Sequence, residues 1–243
     1  MHFRRLCRRR SSLADSPCPA SIASLTGQPL LVVETGVGRA AVEAALEWVV
    51  GRAAPRFALF SGFAGALHPE LGIGDLLLAD AIVTSDGEAR PTTWPGPSAV
   101  LPQDLRRGRL LTSSSLIATA NDKRRLRSAH EALAVDMEAA PAAAICARHG
   151  IPFGCLRVIS DRMDTSLSPA LVGLLAGASV SPLRLAAAVV RRPSLASDLW
   201  RLARDTRFAS RRLAEGLRRV LTQQLAPCET VEIRQDGSSG QNQ

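Results

Sequence analysis

The chain has 243 residues, of which 46% are hydrophobic, 21% charged and 4% aromatic, the size and composition of one globular α/β domain. Whole-chain disorder, collagen-like repeats and coiled coils are excluded, and no window offers the roughly 20 apolar residues of a membrane span. The net charge of +8 gathers at the two ends: five arginines precede residue 11, and nine face three acids between Arg191 and Arg219. The middle of the chain is close to neutral and the protein has no Tyr, so the basic face and stacking platforms of a nucleic-acid binder are not expected. Cys7, Cys18, Cys146, Cys155 and Cys228 form no C-x-x-C and lie far apart, which argues against a disulfide framework or zinc knuckle and for a reducing cytoplasm. His68, His130 and His149 stand singly, so no metal is expected. Met1 to Arg10 is charged like the start of an export signal, but Ser11 to Thr26 supplies no continuous apolar segment.

Leu30 to Glu34 is a short apolar, β-branched run that predicts a strand, followed by the glycine turn Thr35-Gly36-Val37-Gly38 and a helix over Arg39 to Val50. Phe57 to Ser61 predicts a second strand, closed by the loop Gly62-Phe63-Ala64-Gly65, whose small residues let the backbone approach something closely. Gly72-Ile73-Gly74-Asp75 leads into a third strand, Leu76 to Val83, and Asp86 to Gly108 predicts a long loop rich in Pro, Gly and Thr. Strand character resumes at Arg109 to Thr112. A polar helix follows over Asp122 to Ala132, then a strand, Leu133 to Met137, that runs into Glu138. A helix over Ala139 to Arg148, with Pro141 tolerated in its first turn, precedes the strand Phe153 to Ser160, which ends at Asp161. Alternating strands and helices predict a three-layer αβα sandwich with a mostly parallel central sheet, whose ligands sit at the carboxyl ends of strands. Glu138 and Asp161 both fall there. From Ser181 the spacing changes to one or two Arg-rich amphipathic helices, and Thr230 to Gln243 is polar and rich in Gly and Ser.

Val135-Asp136-Met137-Glu138-Ala139-Ala140, with Arg157-Val158-Ile159-Ser160-Asp161-Arg162-Met163-Asp164 some twenty residues later, resembles the paired signature of the nucleoside phosphorylase and nucleosidase superfamily. The nearest patterns are those of methylthioadenosine/S-adenosylhomocysteine nucleosidases and hopanoid-associated phosphorylases. Thr35-Gly36-Val37-Gly38-Arg39 resembles the family's first glycine turn, and Ser61 to Gly65 with Gly72 to Asp75 resembles its central strand-loop-strand. Four motifs in order over residues 30 to 165 make a specific match, and the Arg-rich segment from Ser181 to Leu221 is similar to the hopanoid-associated branch.

The resemblance implies cleavage of the N-glycosidic bond of a purine nucleoside of adenosyl type with a 5′ substituent, by hydrolysis or by phosphorolysis. Such a reaction builds oxocarbenium character on the ribose and negative charge on the base, so it needs an acid at the base and acceptors at the sugar hydroxyls. Asp161 is then the acid facing the purine N7, Glu138 the acceptor of the ribose 2′ and 3′ hydroxyls, and Met137 the packing surface for the sugar. Ser160, Gly62, Phe63, Ala64 and Ile117 complete the implied substrate-binding set. No cofactor is implied beyond inorganic phosphate as co-substrate of the phosphorolytic alternative. The plain structural alternative is that Glu138 caps its own helix and Asp161 caps a turn.

The chain departs from the family pattern at several positions. Phe63 stands where many members carry a small hydroxyl that holds phosphate or water, and Leu116 where nucleosidases often place an aromatic that stacks on adenine. Arg39 and Arg90 are either phosphate partners or surface arginines, and Ser113-Ser114-Ser115 reads as a polar loop. The family also places a strand ahead of everything seen here, ending in a Glu that directs the attacking water. His2-Phe3-Arg4-Arg5-Leu6 looks like the helix that follows it, so the expectation is a start set downstream of that strand or a protein that lacks it, with Glu34 the nearest substitute acid.

The expected organisation is a basic segment over 1–29, a nucleoside phosphorylase-like domain over 30–180, a basic amphipathic extension over 181–225 and a disordered tail over 226–243. The expected partners are a small-molecule nucleoside and a second copy of the chain in a homodimer; residues 191–221 are either a helix packed on its own domain with arginines facing water, the favoured alternative, or a contact for an anionic membrane surface. The competing class is a nucleoside-binding or membrane-associated family member that has lost turnover.

Overall fold

The computed structural model describes residues 8–13, 16–96, 99, 101–166 and 194–225. The helix expected at His2 to Leu6, residues 181–193 of the extension and the tail lie outside them.

The described chain opens with a three-stranded antiparallel sheet, β1 (Arg8–Leu13), β2 (Ala20–Leu25) and β3 (Gln28–Val33), in the order β1-β2-β3. Thr26 and Gly27, both at positive φ (51° and 84°), make the two-residue turn between β2 and β3. Two features therefore differ from the sequence reading. The basic start carries two strands, and the Leu30–Val33 run pairs within this small sheet rather than in the central one.

The central sheet contains β4 (Ala58–Ala66), β5 (Leu76–Thr84), β6 (Ala89–Pro91), β7 (Leu105–Thr112), β8 (Ala134–Asp136) and β9 (Phe153–Asp161), ordered β6-β5-β7-β8-β4-β9. Its long ladders, β4 with β9 and β5 with β7, are parallel. A short antiparallel pairing of β5 with β9, Leu76 opposite Val158, curls the sheet toward a barrel. Helices α1 (Arg39–Arg52) and α3 (Ala139–Arg148) cover one face, α4 (Ser194–Leu225) the other, and α2 (Ala120–His130) one end.

Period-two alternation explains the layers. On β5, Leu77 and Ala79 pack with Val42, Ala142, Ala143 and Cys146 on the α1/α3 side, while Leu76 and Leu78 pack with Leu156, Val158, Ala209 and Leu217 on the α4 side. Burying both faces is why Leu76 to Ala79 of β5 is apolar at consecutive positions. Burial also raises the Cys146 thiol to about 11 and the Cys155 thiol to about 12, so neither is a nucleophile near neutrality. Among the described residues, no helix is long and apolar enough to cross a membrane.

The Gly62-Phe63-Ala64-Gly65 segment, expected to be a loop closing the strand, continues β4. Its small residues serve the close approach expected of them: a Cβ on Gly62 would overlap the Arg157 guanidinium on β9. Similarly, β6 and the start of β7 fall within the long loop expected from Asp86 to Gly108.

Candidate active site

A cavity opens at the carboxyl ends of β4, β8 and β9, lined by Gly65, Ser115, Leu116, Ile117, Val135, Asp136, Met137 and Asp161. The β4–β9 ladder runs in register from Ala58 opposite Phe153 to Ala64 opposite Ile159, then slips so that Gly65 faces Asp161. Ser160 is the extra residue of this bulge, and bulges re-aim the side chains beside them. A Cβ on Gly65 would stand 3.0 Å from Asp161 Oδ2 and 3.3 Å from Oδ1, so the missing side chain makes room for the carboxylate on the cavity wall.

Two groups hold the Asp161 carboxylate. The Ser160 hydroxyl lies 2.8 Å from Oδ1 and 3.3 Å from the Ala64 carbonyl. On the far side, the Lys123 ammonium forms an ion pair with Oδ2 and donates to the carbonyls of Arg162 (2.6 Å) and Thr165 (3.2 Å). Lys123 is 1% exposed. It comes from the first turn of α2, whose start is fixed by the Thr119 hydroxyl accepting the Asp122 N–H at 3.1 Å and by the Ser166 hydroxyl accepting the Ala120 N–H at 3.0 Å. Asp161 is thus the carboxylate of a partly buried ion pair at a cavity, rather than the cap of a turn.

Behind Met137 and Glu138 lies a second, fully buried pair. Asp136 accepts from the Arg157 guanidinium, from the Thr112 hydroxyl (2.8 Å) and from the Ala139 N–H (3.0 Å), and Thr112 Oγ1 in turn accepts from the Ala140 N–H (3.0 Å). These bonds satisfy the start of α3, so Glu138, although it is the N-cap residue, makes no capping bond with its side chain. Instead Glu138 Oε1 accepts the N–H of Gly38 at 3.1 Å, which ties the first glycine turn to the head of α3 across one hundred residues of sequence. Gly38 has φ 93°, a conformation that favours glycine. Burial opposes the charge on Arg157, but Asp136, together with Cys155 and Glu138, holds the guanidinium above its usual range.

Of the residues expected from the sequence, Asp161, Met137 and Ile117 line the cavity, as does Leu116. Ser160 bonds to Asp161, and Glu138 follows Met137 at the head of α3. Gly62 lies against Arg157, Ala64 is buried with its carbonyl toward Ser160, and Phe63 is 41% exposed, so these three do not line the cavity. Arg39 pairs with Glu43 and Arg90 with Glu88, all four at the surface. Ser113 closes a small turn on Ser115, and among the described residues no group of three metal-ligating side chains comes together. Sequence reasoning missed Lys123. The one signal that marks it is composition, since Lys123 is the only lysine in the chain.

The protein is similar to the 5′-methylthioadenosine/S-adenosylhomocysteine nucleosidase of Geobacillus thermodenitrificans, with 27% identity over 176 residues, 63% of this chain and 75% of the relative. It is 24% identical to the nucleosidase of the same name from Staphylococcus saprophyticus over 163 residues, 58% of this chain and 72% of that one. Among solved structures, its fold matches the Neisseria meningitidis nucleosidase bound to methylthio-immucillin-A (TM-score 0.64, 16% identity, 90% of this chain and 92% of that one). It also matches the futalosine hydrolase of Helicobacter pylori (TM-score 0.56, 22% identity, 68% and 80%). The family model described as the Phosphorylase superfamily matches residues 16–174, and the chain belongs to that superfamily.

Proposed function

We propose that the protein is a nucleosidase that hydrolyses the N-glycosidic bond of an adenosine-type purine nucleoside with a 5′ substituent, the class of substrate named for its relatives. The observation that carries this reading is the Asp161 carboxylate on the wall of a cavity whose floor includes Met137, one residue before Glu138. As the bond from C1′ to the base breaks, its electron pair goes to the base and positive character grows on the ribose. Asp161 gives a proton to the imidazole nitrogen of the departing purine, Glu138 accepts the ribose hydroxyls, and Met137 packs on the sugar. Ile117 and Leu116 supply apolar surface for the base in place of an aromatic stack. Hydrolysis is favoured over phosphorolysis because Arg39 and Arg90, the phosphate partners considered from the sequence, are engaged by surface acids.

The test is incubation of the protein with adenosine-type nucleosides, with and without inorganic phosphate, and chromatography for free base. Release of base and free sugar without phosphate is expected. A sugar 1-phosphate formed only with phosphate would make the enzyme a phosphorylase, and nucleoside binding without base release would make it a binding protein. In this reading the enzyme works in the cytoplasm as a homodimer.

A second reading concerns α4. Its second half is buried through Ala209, Ala214, Leu217, Val220 and Leu221, but Trp200 is 66% and Phe208 51% exposed on an arginine-rich helix, which suits an anionic membrane surface. Sedimentation with anionic and neutral vesicles tests it. Equal retention by both would remove it.

A further inference from the structure

A second cavity, of about 690 Å³, opens beside α2 and shares no lining residue with the one that holds Asp161. Its size is that of a site for a small organic ligand, roughly 300–1,000 Å³. We propose that this cavity binds a soluble phosphomonoester with a hydroxylated body, the class of a sugar phosphate. The proposal stands independently of the nucleosidase reading. Three observations carry it.

The first is the state of the cations on α2. Lys123 is paired with Asp161, and Arg125 with Asp122 at 3.3 Å. Arg124 and Arg127 instead line the cavity, and among the described residues neither guanidinium has a hydrogen bond or an ion pair. They are three residues apart on the helix, so their side chains are neighbours and take one anion between them. A guanidinium presents a planar fork of donors that matches phosphate oxygens two at a time.

The second is His68, which lines the cavity from the loop after β4. Its Nδ1 accepts the Glu70 N–H at 3.3 Å, so Nε2 bears the ring hydrogen and is the donor left for a ligand.

The third is the change of polarity along the cavity. Ala132, Leu133 and Met163 supply apolar surface. Glu131 lies about 10 Å further along the helix axis than Arg124 and is held by Arg109 at 3.4 Å. A carboxylate there accepts hydroxyls and repels a second phosphate, so one end suits a dianion and the other a polyol. Inorganic phosphate would fill the first end alone. Among the described residues no Phe or Trp lines the cavity, so nothing stacks on a nucleobase, and this separates it from a nucleotide site.

The test is calorimetric titration of the parent with ribose 5-phosphate, ribose and inorganic phosphate, in about 0.15 M salt to screen long-range attraction to the basic chain. It is repeated with Arg124→Gln, Arg127→Gln and Arg125→Gln, each shown to be folded by its melt. All three remove one charge from α2, but Arg125 does not line the cavity. The inference predicts one ribose 5-phosphate per chain with a Kd of about 1 mM or tighter, bound more tightly than phosphate or ribose. Affinity falls about tenfold or more in Arg124→Gln and in Arg127→Gln, and under about threefold in Arg125→Gln. No saturable binding by the parent, equal losses in all three variants, or inorganic phosphate bound as tightly as the ester would each overturn it. So would binding that survives in the Arg124→Gln/Arg127→Gln double variant, which would put the ester in the Asp161 cavity. Retention on phosphatidate vesicles without binding of the soluble ester would assign the arginines to a lipid headgroup and overturn it as well.

Discussion

Replacing Arg157 with Met tests how the segment carrying Met137 and Glu138 is held. Arg157 is 2% exposed and its partner Asp136 5%, so removing the guanidinium strands a buried carboxylate that keeps only the Thr112 hydroxyl and the Ala139 N–H. Breaking a buried pair from one side costs about 3–5 kcal/mol, because the remaining charge has lost its counter-ion and does not regain water. For a chain of this size each kcal/mol moves the melting temperature by about 2–4 °C, so a fall of about 6–20 °C is expected. Methionine preserves much of the apolar stem, which keeps the cavity contribution small. Urea unfolding followed by tryptophan fluorescence reads the change, with Trp94 stacked on Phe57 at 4.3 Å as a reporter beside β9. Adding Asp136→Asn in the Arg157→Met background removes the stranded charge and recovers part of the loss. A destabilisation below about 1 kcal/mol, or a double variant no more stable than the single, would refute the reasoning.

Glu138→Gln keeps an acceptor for the Gly38 N–H, so the glycine turn stays in place, but it weakens the contact to ribose hydroxyls. Turnover is expected to fall about tenfold or more on a ribonucleoside and much less on its 2′-deoxy analogue, and equal losses would show that Glu138 does not read the sugar. Asp104 anchors α4 through two bonds to Arg219 (2.8 and 2.7 Å), and the hydrogen bond from Arg219 lowers its pKa below the usual 3.8. A carboxyl whose folded pKa is depressed stabilises the fold above its unfolded pKa and ceases to do so as pH falls through the folded value. Asp104→Asn therefore costs under about 1 kcal/mol near pH 7, this pair being largely exposed, and the difference from the parent closes below pH 3.8 in acid melts.

The parts of this molecule that were legible in the sequence are those written locally. Val158-Ile159-Ser160-Asp161 reads as a buried strand delivering an acid at its end, and Ala139 to Arg148 reads as a helix with a proline in its first turn; both stand as read. The small residues of β4 mark a close approach in the sequence, but the group that approaches Gly62, Arg157, lies 95 residues away, so neither that partner nor the continuation of the strand is written locally. The closure of the sheet rests on three residue pairs between β5 and β9, too few to leave a pattern in either strand. Lys123 escaped notice because α2 is dominated by charged and polar residues, among which one more cation does not stand out. Its burial is produced by the turn after β9 folding over it, and that turn's carbonyls carry no side-chain signature. The β2–β3 hairpin was hidden differently: the arginines before it drew attention to charge, while Thr26-Gly27 was a turn signal flanked by alternating residues.

The central claim, that Asp161 delivers the proton as the glycosidic bond breaks, is tested most directly by base release from one adenosine-type nucleoside by the parent and by Asp161→Asn at equal folded concentration. Asparagine keeps an oxygen for the Lys123 ammonium, and its amide NH2 can donate to the Ser160 hydroxyl, which then donates to the Ala64 carbonyl, so the pocket keeps its shape while the exchangeable acid proton is gone. The account predicts a fall in kcat of about 10²- to 10⁴-fold with KM changed little. Undiminished turnover by a folded Asp161→Asn protein would contradict it.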